Sequence, residues 1–187
     1  SEALIRVALS AAKNVTAPCV LDLGTGSGAL LLTMLCEIPD ASGIATDLSS
    51  AALEVARNNA QALDVMCRTA FHAGSWWDAL PPNRTFDLIL SNPPYITDTA
   101  MAGLEREVLD YDPNLALRGG ADGLDAYRVI ISGADTYLRA EGWIGVEIGF
   151  DQAESVTALM AAAGLTDITV SRDLGGHDRV VSARKPT

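Results

Sequence analysis

Short apolar runs alternate along this chain with stretches of helical period. That alternation is the pattern of an α/β domain built on a mostly parallel sheet. Ala3 to Lys13 reads as a helix, and Cys19 to Leu23 as a buried strand running into a glycine-rich turn. Ala29 to Glu37 continues as a helix closed by Pro39, and Gly43 to Thr46 as a second strand ending at Asp47. The next helix is expected over Ala51 to Leu63, with Ser49 or Ser50 as its cap, since a serine oxygen accepts a free amide hydrogen of the first turn. Arg68 to His72 and Phe86 to Ser91 read as the third and fourth strands, the latter stopped by two prolines. Ile96 to Asp122 is irregular and long for a loop, which favours a functional segment or one with structure of its own. Leu124 to Leu138 reads as a helix, Trp143 to Ile148 as a fifth strand and Asp151 to Ala163 as a last helix. Ile168 to Arg172 and Arg179 to Ala183 read as a closing pair of strands turned by Gly175 and Gly176. No repeat, low-complexity tract or linker interrupts the series, so residues 1–187 read as one domain.

Two strand ends carry candidate chemistry. The first strand runs into Asp22, Leu23, Gly24, Thr25, Gly26, Ser27 and Gly28. Glycines at this point allow a sharp turn and close approach of a ligand, and the helix that follows offers free amide hydrogens. Asp47, about 20 residues on, ends the second strand, where a carboxylate can accept the two ribose hydroxyls of a nucleotide-like cofactor. The spacing is GxGxG, unlike the GxGxxG of dinucleotide binding, and resembles that of enzymes whose cofactor is S-adenosylmethionine (AdoMet), which has no pyrophosphate.

The fourth strand ends in Asn92, Pro93, Pro94 and Tyr95. A planar amide or aryl amine is a poor nucleophile because its lone pair is delocalised. Two acceptors aimed at its two N–H groups would orient it and favour charge developing on nitrogen. The Asn92 side-chain oxygen and the Pro93 carbonyl can be those acceptors. Two prolines stiffen the loop, and Tyr95 can pack its ring on a flat group. The plainer reading is a proline turn that only ends a strand.

Composition narrows these readings. The 187 residues are 49% hydrophobic and 20% charged, enough to bury a core without disulfide or metal. The net charge of −11 disfavours a protein that grips nucleic acid through its phosphates. No apolar run approaches the roughly 20 residues that span a bilayer. Cys19, Cys36 and Cys67 are odd in number, scattered, and in apolar segments, so they read as small core residues. With no signal peptide pattern, a reducing cytoplasmic setting is expected. No histidine or carboxylate pair has metal-ligand spacing. His72 reads as a core or strand-end residue, His177 as solvated, and Glu105, Arg106 and Glu107 as a solvated charge cluster.

Taken together, the motifs resemble class I AdoMet-dependent N-methyltransferases with an NPPY tetrapeptide. Glu107, Val108, Tyr111, Pro113, Ala116 and Leu117 match the EVxxYxPxxAL pattern of glutamine N5-methyltransferases. Gly119 to Tyr127 continues it, and Asp173 to Val181 resembles the closing hairpin of that group. The resemblance is greatest to the release factor glutamine methyltransferases, the HemK/PrmC family, and covers nearly the whole chain. It implies a Rossmann-like fold, mostly parallel with a C-terminal antiparallel hairpin. It also implies AdoMet as cofactor, with S-adenosyl-L-homocysteine as product, and the GGQ glutamine of a peptide chain release factor as substrate. No metal, membrane or direct nucleic acid contact is implied.

By the same resemblance, Gly24, Gly26 and Gly28 wrap the cofactor beside Asp22 and Thr25, and Asp47 with Leu48 takes its ribose end. Trp76 stands where the family has a tryptophan near the adenine, after a GD pair whose Asp is Ser75 here. Trp77 reads as packing. Asn92 lies between cofactor and substrate; Asn92, Pro93, Pro94 and Tyr95 hold the target amide. Tyr111 and Pro113 would shape the wall of the site. Members also carry a small helical domain ahead of the glycine turn that helps hold the release factor. This chain, starting at Ser1 within an amphipathic segment, is expected to be a fragment without it. Three rival readings share these motifs: glutamine methylation of a ribosomal protein, DNA or RNA N-methylation through the same NPPY, and a non-catalytic AdoMet-binding module.

Overall fold

A computed structural model describes residues 1–97, 99 and 119–187. The strands are β1 (Cys19–Leu23), β2 (Ser42–Asp47), β3 (Thr69–Ala73), β4 (Phe86–Ser91), β5 (Leu138–Glu147), β6 (Thr166–Arg172) and β7 (Asp178–Arg184). They form one sheet in the order β3-β2-β1-β4-β5-β7-β6. Neighbours from β3 through to β5 are parallel, and β7 runs antiparallel to both β5 and β6. This is the mostly parallel sheet with a closing hairpin that the sequence predicts.

The alternation of side chains along each strand sends them to two cores. Val20, Leu88 and Leu90 pack on one face with Leu4 and Ala8 of α1 (Glu2–Ala12) and Leu31, Met34 and Leu35 of α2 (Ala29–Glu37). Ala60 of α3 (Ser50–Ala62) joins them. Leu21, Leu23, Ile89 and Ile144 pack on the other, with Tyr127, Ile130 and Ala134 of α4 (Asp125–Tyr137) and Val156 and Met160 of α5 (Ala153–Ala162). Each fully buried aliphatic side chain contributes roughly 1.5–3 kcal/mol, so the two apolar faces dominate what holds the sheet in place.

The chain order along the sheet reverses between β1 and β4. Strands β2 and β3 extend to one side of β1, and β4 and β5 to the other. Ligands of open parallel sheets bind beyond the carboxyl ends of strands at such a reversal. Leu23 is in register with Ser91, so the glycine turn and the tetrapeptide leave the sheet from adjacent strands. Their junction is tied directly: the Ser91 hydroxyl donates to the Leu23 carbonyl at 2.7 Å.

The structure differs from the sequence reading in three places. Strand β5 begins at Leu138 and not Trp143. Its register on β4 jumps from Phe86–Leu138 to Leu88–Trp143, and Arg139, Ala140 and Glu141 are exposed there. A bulged, solvent-facing stretch like this lacks the apolar run by which a strand is recognised. Two short 3-10 helices, Met66–Arg68 and Trp76–Ala79, lie where the sequence predicts no element or only a strand start. Finally, two of the three cysteines are not core residues. Cys19 packs half-buried against the second core, as expected, and burial raises its thiol pKa. Cys36 is exposed on the last turn of α2 and Cys67 is exposed in the first 3-10 helix. Apolar neighbours in sequence do not decide which side of a helical turn faces the core. Of the two cap candidates, Ser49 caps α3, accepting the Ala52 N–H at 3.2 Å.

Candidate active site

The turn after β1 is shaped by backbone conformations that favour glycine. Gly24, Gly26 and Gly28 have φ of +71°, +55° and +86°. A Cβ on Gly28 would meet Leu32 Cδ1 at 2.8 Å, whereas one on Gly26 would project into open space. Gly28 is therefore needed for packing, and Gly26 leaves the turn open toward solvent. The Gly24 and Thr25 N–H groups both donate to the Thr46 carbonyl at 2.9 Å, which fastens the turn to β2.

Beneath the turn lies Asp22, fully buried on the α2 face of the sheet. Its Oδ2 accepts the Thr25 hydroxyl at 2.7 Å and the Leu31 N–H at 3.3 Å. Among the described residues its Oδ1 has no hydrogen-bond partner. Burial pushes the Asp22 pKa up to about 6, and the nearby Asp47 charge adds to the rise. An unpartnered carboxylate oxygen in a buried position is costly and points to a cationic or donor group from outside the chain.

Asp47 is the hub on the β2 side. Its Oδ2 accepts the Gly26 N–H at 2.9 Å and its Oδ1 the Ser49 N–H at 2.8 Å. A carboxylate offers about four acceptor positions, so each oxygen keeps one for a hydroxyl. Leu48 follows it, 61% exposed. The Gly74 N–H donates to the Asp47 carbonyl at 3.0 Å, which brings exposed Ser75 and half-buried Trp76 beside the same strand end. A Cβ built on Gly24 would lie 3.5 Å from the Trp76 ring, so that indole flanks the glycine turn. Trp77 packs elsewhere, as expected: it stacks on Tyr137 with centroids 4.6 Å apart and donates from Nε1 to the Val129 carbonyl at 2.8 Å.

Across the reversal point, Asn92 is exposed, Pro93 buried, and Pro94 and Tyr95 half-buried. Asn92 Nδ2 lies 3.4 Å from the Ser1 hydroxyl. Behind the loop is a residue that sequence reasoning missed. Gln152, 8% exposed, donates from Nε2 to the Tyr95 carbonyl. It follows the fifth strand by a few residues, and only tertiary packing brings it to the loop. His72 is half-buried as the penultimate residue of edge strand β3, and His177 is exposed in the last turn. Glu105, Arg106, Glu107, Val108, Tyr111, Pro113, Ala116 and Leu117 lie outside the described residues.

The methyltransferase small domain family matches residues 2–110 of this chain. The chain belongs to that family. Among curated proteins, it is 53% identical over 167 residues to a release factor glutamine methyltransferase of Cereibacter sphaeroides, covering 89% of this chain and 59% of that protein. It is 45% identical over 181 residues to the release factor glutamine methyltransferase of Caulobacter vibrioides, covering 97% and 62%. The chain thus spans about three fifths of the length of these relatives. Among solved structures it resembles a methyltransferase from Pyrococcus furiosus, with a TM-score of 0.71 at 16% identity over 98% of this chain and 83% of that one. At that identity the likeness bears on the fold, which is that of class I AdoMet-dependent methyltransferases.

The two sets of strand ends offer different groups. The β1–β3 ends offer an open glycine turn, a buried lone carboxylate oxygen, a strand-end carboxylate and an indole. The β4 end offers a polar amide and carbonyls held by prolines. Among the described residues, no helix is long and apolar enough to cross a membrane.

Proposed function

We propose that this chain transfers a methyl group from AdoMet to the side-chain amide nitrogen of the glutamine in the GGQ motif of peptide chain release factors. The observation that carries the reading is the register of Leu23 with Ser91, which sets the glycine turn and Asn92-Pro93-Pro94-Tyr95 side by side. Two relatives bearing the release factor glutamine methyltransferase name, at 45–53% identity, support the choice of substrate. Residues 1–187 read as the catalytic domain, with a helical release-factor-holding domain as a separate unit of the whole protein.

The residues present fit AdoMet. Asp22 Oδ1 is a buried acceptor in need of a donor, Asp47 keeps acceptor positions for ribose hydroxyls, and Trp76 and Leu48 offer apolar surface for a base. The open side of Gly26 allows close approach. When bound, the cofactor supplies an electrophilic methyl on a sulfonium. Asn92, through its side-chain oxygen, and Pro93, through its carbonyl, accept the two N–H hydrogens of the target amide. That orients the nitrogen and stabilises positive charge developing there. Tyr95 packs beside the flat amide. No strong base is required, because the methylated amide sheds its extra proton readily to water.

The test is mass spectrometry of a release factor incubated with the chain and AdoMet, with DNA, RNA and ribosomal protein arms alongside. One added methyl on the GGQ glutamine is expected. Asn92→Ala is expected to lower turnover roughly 100-fold, the usual cost of removing one oriented polar contact to a transition state. Turnover near wild type, or methyl appearing only in another arm, overturns the reading.

A further inference from the structure

The half of the site that receives the amide is held from behind by a buried side chain. Gln152 uses both ends of its amide. Nε2 donates to the Gly123 carbonyl at 3.1 Å and the Tyr95 carbonyl at 3.3 Å. Oε1 accepts the Gly149 N–H at 2.9 Å and lies 3.2 Å from the Tyr127 hydroxyl, which is itself 2.9 Å from the Glu147 carbonyl. Two carbonyls on one side and an N–H on the other leave the amide one orientation. Three backbone segments meet there: the loop after β4, the approach to α4 and the end of β5.

The joint has little slack. A Cβ on Gly123 would come within 2.5 Å of the Tyr95 carbonyl oxygen and 2.7 Å of Gln152 Nε2. A Cβ on Gly119 would come within 2.9 Å of Tyr95 Cα. The Gly119 N–H also donates to the Ile96 carbonyl at 2.8 Å. Gln152 is the N-cap position of α5, yet its side chain makes no capping bond to that helix; it is turned to the loop instead. An apolar side chain would fill the same space without the cost of burying an amide. A fully satisfied buried network, by contrast, fixes the backbone it touches.

We infer that Gln152 is a positioning residue of the methyl-acceptor loop. By holding the Tyr95 carbonyl it fixes the direction in which Asn92 and Pro93 face, and it acts on turnover without touching substrate or cofactor. The link to turnover rests on the function proposed above; the link to loop order does not.

The experiment compares the full chain with Gln152→Met, which keeps length and loses every hydrogen bond, and Gln152→Glu, which sets a carboxylate against two carbonyls. Hydrogen exchange, AdoMet affinity and steady-state methylation of a GGQ-containing release factor are read on each. Exchange of the Gly119 N–H, whose acceptor is the Ile96 carbonyl of that loop, is expected to rise at least about tenfold, while β1 and β2 stay as protected as in wild type. AdoMet affinity should stay within about threefold. The kcat should fall roughly 10- to 100-fold with little change in KM, the penalty of a slightly misplaced acceptor. Exchange at Gly119 that matches wild type in both variants overturns the inference, as does loss of protection spread evenly through the sheet. Should the wild-type chain methylate no release factor while exchange at Gly119 still rises locally, the positioning role stands and the proposed function falls.

Discussion

Under the proposed function, Asp22 serves the site at the expense of the fold. Burial disfavours the charged form and pushes its pKa from the ordinary carboxylate range up to about 6. A carboxyl whose pKa rises on folding binds its proton more tightly folded than unfolded. Stability therefore falls as pH rises from about 4 to about 6, and the full penalty, about 3 kcal/mol, is present above that range. Asp22→Asn puts an uncharged amide there. It can still accept from Thr25 and Leu31 through its oxygen while its NH2 takes the place of the lone Oδ1. Urea melts at pH 7.5 are expected to show the unliganded variant more stable than wild type by about 1–3 kcal/mol, the gain shrinking toward pH 4. AdoMet affinity should drop at least about tenfold, and a variant less stable at both pH values would contradict this account. Asp22 could be picked out from the sequence because it sits at a strand end before glycines. Its bond to the Thr25 hydroxyl and its orphan oxygen could not, since they depend on where α2 packs. Cys36 departs from the sequence reading for a similar reason: it has apolar neighbours but sits on the outer side of its helix.

Elements bounded by strong local signals match the sequence reading residue for residue. Strand β1 lies between Pro18 and Gly24, and α2 begins after Gly28 and ends before Pro39, so both ranges agree. Where tertiary pairing overrides the local pattern, as in the bulged start of β5, the sequence gives no sign. The 3-10 helix Trp76–Ala79 belongs to this second kind. It is anchored to α4 by the Trp77–Tyr137 stack and the bond to the Val129 carbonyl, and a Cβ on Gly133 would lie 2.3 Å from the Trp77 ring. The same short element presents Trp76 to the glycine turn. Trp77→Ala should therefore cost about 3 kcal/mol of stability and also weaken AdoMet binding severalfold, although Trp77 is not in the site. Calorimetric titration with AdoMet checks it: lower stability with unchanged affinity would mean that Trp76 is positioned by something else.

At the scale of the molecule, 24 acidic residues stand against 13 basic ones. Several ion pairs among the described residues lie at the surface, as in exposed Arg128 with Asp122 and Asp125, and exposed Arg172 with half-buried Asp178. Exposed pairs contribute little to stability and are screened by salt. Self-repulsion of the net charge is screened as well, and the excess of acid makes it the larger effect. The thermal midpoint is expected to rise by a few degrees between about 10 mM and 300 mM sodium chloride; a fall would show that the ion pairs dominate.

The sheet order has a consequence for synthesis. Strand β7, the last in chain order among the described strands, is not at an edge but lies between β5 and β6. Until β7 has left the ribosome, β6 has no strand to pair with and β5 has only one neighbour. The glycine turn and the tetrapeptide, both complete by residue 95, can then come together well before the sheet that carries them is closed. A nascent chain paused in this interval would expose an unpaired β5 edge, the kind of surface that holding chaperones and neighbouring nascent chains capture.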